Sequence, residues 1–167
     1  MNTRDIRTLF DYNYWANKRI LDASAAVSQE SFYAPAAFPY GGLRGTILHI
    51  MDAEWGWRML LQHKDEFAPD LDIADFPTLT AIQERWEEEE QQMRAYLASL
   101  RDEDLDTHIY YTVQEELCDR LLWHCLFHVV NHGSQHRSEA AAILTELGCS
   151  PGDLDFVVFI HQYKNTG

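Results

Sequence analysis

The sequence predicts an all-α chain folded as a four-helix bundle with one crossover connection. Two observations carry this. Four segments repeat apolar residues at the three- and four-residue spacing of an amphipathic helix. The connection between the second and third is 14 residues long, Lys64 to Pro77. Fully extended it reaches about 45 Å, enough to return along a whole helix. At 167 residues, 46% of them apolar, the chain reads as a single domain, 1–167, that can bury a core without staples.

The first helix is expected from about Thr3 to Ala26, with Ile6, Phe10, Asn13, Asn17 and Ile20 near one stripe. The second follows Gly41-Gly42 and runs from Leu43 to His63. Its face is Ile50, Ala53, Trp57, Leu60 and Leu61. The third begins after Pro77, with Thr78 as N-cap, and ends near Leu100. Within it EEEE (Glu87 to Glu90) reads as a solvated face, with Glu89 or Glu90 turned inward by the register. The fourth is expected from about Leu117 to Leu147, stopped by Gly148 with Pro151 beyond. THIYYTV, Thr107 to Val113, has strand composition and reads as a short β ribbon between the third and fourth helices.

A formal net charge of −14 disfavours phosphate backbones and anionic lipid as partners. Neither a signal pattern nor an apolar run of membrane-spanning length stands out. Three cysteines, Cys118, Cys125 and Cys149, with no CxxC pair, suit a reducing compartment, so a cytoplasmic location is expected. A nucleophile elbow, P-loop, dinucleotide fingerprint, HExxH and the ExxH of di-metal bundles are all missing.

The chemistry concentrates in HCLFHVVNHGSQHR. It places His124, His128, His132 and His136 four residues apart. Residues four apart on a helix are offset by about 40° and 6 Å, which suits capture of one ion; residues eight apart are too far. The candidate pairs are therefore 124/128, 128/132 and 132/136. The apolar arc of that helix holds Leu122, Val129, Gly133, Ala140, Leu144 and Leu147. The histidine stripe drifts toward this arc as the helix proceeds, which favours His132 with His136. A further ligand must come from another helix. The candidates are His49, His63, His108, His161 and carboxylates; His49, beside its helix's apolar face, leads on position. Cys125, about two turns from His132, is too far for ligation.

Three blocks resemble the DinB/YfiT-like family of metal-binding four-helix bundles: LFDYNYWANKRILDA, LRGTILHIMDAEWGWR and FHVVNHGSQHRSEAAAILTELGCSPGDLDF. They are spread across nearly the whole chain. The resemblance implies a crossover bundle, a homodimer, and His49, His132 and His136 as ligands of one divalent ion, zinc or nickel. Relatives include transferases and isomerases that use low-molecular-weight thiols, and others are described as hydrolases. A metal-dependent enzyme acting on a small molecule is thus implied, with a non-enzymatic metal-binding or dimeric interaction module as the alternative. Members often carry Gly-Gln after the HR, where this chain has Ser138-Glu139.

Three imidazoles leave an open coordination position, as in catalytic sites. Asp52, three residues after His49, and Glu139, three after His136, are candidates to orient a ligand ring or act as general base. Arg137, near the core, needs a partner, and Asp155 is the expected one. Tyr14, Trp15, Trp55 and Trp57 read as core or dimer-interface residues, not substrate contacts. An unperturbed imidazole has a pKa near 6.5, so acidification through about pH 6 to 5 is expected to release the ion.

Overall fold

The computed structural model describes residues 1–63 and 69–163. Helix α1 (Thr3–Ser24) opens on a reciprocal cap, in which the Asn2 side chain accepts from the Asp5 amide and Asp5 accepts from that of Asn2. A short helix α2 (Gln29–Tyr33) precedes the double-glycine turn into α3 (Leu43–His63). Helix α4 (Leu79–Ser99) starts on Thr78, whose hydroxyl accepts from the Ala81 amide at 3.1 Å. Strands β1 (His108–Val113) and β2 (Glu116–Leu121) pair antiparallel, and α5 (Leu122–Glu146) and α6 (Phe156–Tyr163) complete the chain. Among the described residues no helix is long and apolar enough to cross a membrane.

The expected ribbon is present, but it takes more of the chain than THIYYTV. The fourth long helix begins at Leu122, not near Leu117, because Glu116–Leu121 is the second strand. Leu117, Leu121 and Leu122 mimic helical spacing, which hid the strand. The turn also lacks the usual glycine or asparagine: Gln114 and Glu115 themselves adopt positive φ, 49° and 69°. Two short helices, α2 and α6, were not anticipated, and His161 sits on the second of them.

The four long helices form a ring in which α5 packs between α1 and α3, and α4 packs against α1 and α3 on the other side. Glu54 meets Trp86 and Arg58 meets Glu89, so α3 and α4 run parallel. Asp11 meets Arg94 and Thr3 meets Asp102, so α1 and α4 run antiparallel. Parallel consecutive helices require a crossover, as the long linker predicted. Lys64 to Ala68 of that linker lie outside the described residues. Its remainder returns along α3, where Asp52 accepts from the Leu71 amide at 2.9 Å and Arg44 donates to the Phe76 carbonyl at 2.8 Å.

The core is two apolar clusters. One gathers Ile6, Phe10, Met93, Leu97 and Leu126; the other gathers Ile20, Ile47, Ile50, Ile82 and Leu144. Between them lies a buried polar layer. Glu54, fully enclosed, accepts from Asn13 Nδ2 at 2.7 Å, Asn17 Nδ2 at 2.8 Å and Trp86 Nε1 at 2.9 Å. Arg137 Nη1 donates to the oxygens of the same two asparagines, at 2.6 and 2.7 Å, and Nη2 to Ser134. Each asparagine amide thus faces its donor end to the carboxylate and its acceptor end to the guanidinium. The expected Arg137–Asp155 pair does not form. Asp155 is exposed at the start of α6, where its carbonyl receives the Val158 amide. Of the four glutamates, Glu89 is the one turned inward and buried, where Arg58 grips it with two nitrogens.

Gly133 makes room for the layer. A Cβ there would lie 2.6 Å from Arg137 Nη1 and 3.0 Å from Asn13 Oδ1. Helix propensity alone favours alanine over glycine by about 1 kcal/mol. Overpacking against a side chain locked by three hydrogen bonds costs about 1–3 kcal/mol. Gly133→Ala is therefore expected to destabilise the fold by up to about 2 kcal/mol, and urea denaturation of the metal-free protein checks the sign.

Candidate metal centre

α3 and α5 run antiparallel, and this places His49 against the second half of the histidine run. His49 Nε2 and His132 Nε2 are 3.1 Å apart. Ring centroids are 4.8 Å apart for His49–His132, 4.7 Å for His49–His136 and 4.5 Å for His132–His136. One nitrogen from each of the three lies within 4.8 Å of the others. Metal–imidazole bonds of about 2.0–2.1 Å place the nitrogens of a tetrahedral site roughly 3.4 Å apart. The trio fits an ion after small side-chain adjustments.

The tautomer is also prepared. His136 Nδ1 meets Glu139 Oε2 at 2.8 Å, which leaves Nε2 with its lone pair toward the other rings. Glu139 therefore touches a ring of the trio. Asp52 does not: its carboxylate goes to the Leu71 amide, yet it shares with His49 the wall of a cleft of about 260 Å³. Burial pushes the Asp52 carboxyl above its usual range.

The other histidines are elsewhere. His128 is next in line, 5.6 Å from His132, with its ring 5.1 Å from Trp57 and exposed. His124 packs on Trp123. His63 ends α3, and His108 pairs with Asp119 on the ribbon. Cys125 is buried away from the trio, and burial pushes its thiol up to about 11.

Tyr40 is a contact that sequence reasoning missed. Its ring stacks on His49 at 3.6 Å and meets His136 edge-on at 5.1 Å. Gly45 permits this approach: a Cβ there would sit 2.0 Å from the Tyr40 carbonyl oxygen. A glycine one helical turn before His49, just after the GG turn, was the available signal of a close backbone approach.

The arrangement is thus a helical bundle with a three-histidine cluster at an α3–α5 contact, one ring held by a carboxylate. The sequence profile of the DinB family matches residues 1–166, and the chain belongs to that family. Among curated proteins it is similar to Protein DinB of Bacillus subtilis (strain 168), 22% identical over 169 residues, covering 93% of this chain and 94% of the relative.

Burial first, and the neighbouring imidazoles second, push the His49 and His132 pKa values down to about 4. Both rings are therefore neutral well below pH 6, and proton competition at these two ligands moves below the pH 6 to 5 window expected from unperturbed histidine. In the unfolded chain they titrate near 6.5. Between about 6.5 and 4 the unfolded state binds more protons, so stability falls as pH drops through that range and is independent of these groups above it. The metal-free protein is expected to lose stability from pH 7 to pH 5 more steeply than His49→Gln/His132→Gln, measured by urea midpoints at each pH.

Proposed function

We propose that the chain is a divalent-metal protein in which His49, His132 and His136 hold one ion, zinc or nickel, and that it is a metal-dependent enzyme acting on a small molecule, as a thiol-dependent transferase or a hydrolase. The observation that carries the reading is the convergence of three ligand nitrogens from two helices, one ring already oriented by Glu139. Three neutral ligands leave the cation's charge uncompensated and a position open. A bound divalent ion supplies Lewis acidity there, enough to polarise a carbonyl or favour the deprotonated form of a water or thiol.

The chain's own residues divide the remaining work. Glu139 fixes the His136 ring and its tautomer. Tyr40 covers His49 and His136 on one side and restricts water there. Asp52, on the cleft wall with His49, is placed to accept a proton. Cys125, its thiol held protonated, is not the nucleophile, so a thiol step draws on an external low-molecular-weight thiol. One cleft, about 260 Å³, opens beside His49 and Asp52, and a second, about 350 Å³, lies beside His128, one helical turn from His132. Such space supports an enzyme over a sealed binding module.

Elemental analysis after zinc or nickel loading is expected to find about one ion per chain. The His49→Ala/His132→Ala/His136→Ala protein should hold none, while His124→Ala keeps its metal. Equal metal in wild type and the triple variant overturns the assignment.

A further inference from the structure

The larger cleft has a chemistry of its own. It is lined by Trp57, Tyr111, Arg120, His124, Cys125 and His128, and its volume of about 350 Å³ is that of a small-ligand site. Its walls are aromatic: Trp57 meets Tyr111 edge-on at 5.4 Å, and the same indole meets His128. His128 joins the cleft to the trio through His132. Along α5, His124 to His128 covers about 6 Å, so the cleft is a trough whose wall ends one helical turn before His132.

At the far end of this trough stands Arg120, on β2. The one side-chain hydrogen bond it makes among the described residues is from Nη1 to the carbonyl of its neighbour Asp119, at 2.7 Å. Among the described residues no carboxylate lies within ion-pair distance of it; the Asp119 side chain is taken by His108. The chain has 27 acidic and 13 basic residues. Arg19, Arg44 and Arg137 also lack a carboxylate, but each is occupied by backbone carbonyls or amide oxygens across the fold, whereas Arg120 reaches only its sequence neighbour and faces a cleft. Its charge opposes the burial that raises the Tyr111 and Cys125 pKa values, both on the wall of the same cleft. An acidic surface repels anions, so a substrate anion needs a local cation to enter.

We propose that this cleft is the substrate-binding arm of the metal centre and takes a small organic acid, its carboxylate on Arg120 and its planar or apolar body against Trp57 and Tyr111. The guanidinium fork matches a carboxylate with two parallel hydrogen bonds, and an aromatic wall accepts a flat ligand body. The end of the ligand away from the acid then lies beside His128, next to the trio. Trp57 is thus both packed on the core and a substrate contact. The inference rests on the trio as a metal site, and the two can fail separately.

The test is calorimetric titration of full-length protein, zinc-loaded and metal-free, with 3-phenylpropionate and with its uncharged amide. Wild type is expected to prefer the acid by about tenfold in both forms, as for one charge-assisted contact at a half-open site. Arg120→Gln should erase the preference and retain its zinc, and Arg120→Lys should keep part of it. Equal binding of acid and amide, binding of neither at millimolar concentration, or a preference that survives Arg120→Gln overturns the proposal. A preference found only with zinc and indifferent to Arg120 places the anion on the metal and also overturns it. No bound zinc with an Arg120-dependent preference sinks the metal reading and leaves the cleft assignment standing.

Discussion

The buried contact of Arg137 with Asn13 and Asn17, and through them with Glu54, is the constraint on which the rest depends. Two opposite charges are enclosed in the bundle without touching. Full desolvation of either alone costs several kcal/mol at the order-of-magnitude level. Two amides, each polarised between a carboxylate and a guanidinium, compensate that cost and tie α1, α3 and α5 at one level. An apolar layer tolerates a helix sliding by one turn. This layer does not, because one turn away Arg137 would find no acceptor. Burial raises the Glu54 pKa and lowers that of Arg137, so both groups feel the low dielectric, and the hydrogen bonds oppose it on the glutamate.

The histidine cluster inherits its geometry from that layer. His136 is the residue before Arg137, His132 the residue before Gly133, and His49 lies five residues before Glu54 on α3. Fixing Arg137 against Glu54 therefore fixes the rotation of α5 and the height of α3, and the three rings meet as a result. The remaining supports are local. Glu139 holds one ring, Tyr40 seats on another because Gly45 has no side chain, and Asp52 holds the returning crossover at Leu71 beside the site. The linker that makes the topology a crossover thereby becomes part of the wall of a cleft.

Much of this was legible in the sequence, for physical reasons. Helical periodicity and the Thr78 and Gly148 signals placed the long helices, because burial of one face and satisfaction of end groups are local demands. A 40° offset per four residues ranked His132 and His136 above His124, because angle on a helix follows from number. What escaped depends on partners distant in sequence. Arg137 was assigned Asp155, eighteen residues on, whereas two of its three acceptors lie on α1, more than a hundred residues earlier, and the third is Ser134 on its own helix. Glu54 passed unnoticed because a lone helical glutamate looks like surface until three donors surround it. Glu116–Leu121 read as helix since its leucines fit either period, and only pairing with His108–Val113 makes it a strand. Tyr40 left only the trace of Gly45.

The central claim is that one ion sits on three imidazoles from two helices with a position left open. X-ray absorption at the metal edge of the zinc-loaded protein tests it most directly. The expected spectrum has about three imidazole nitrogens at about 2.0–2.1 Å, with outer-shell ring scattering, completed by light oxygen ligands. A sulfur shell near 2.3 Å, a first shell of oxygens alone, or four imidazoles closing the site would contradict it.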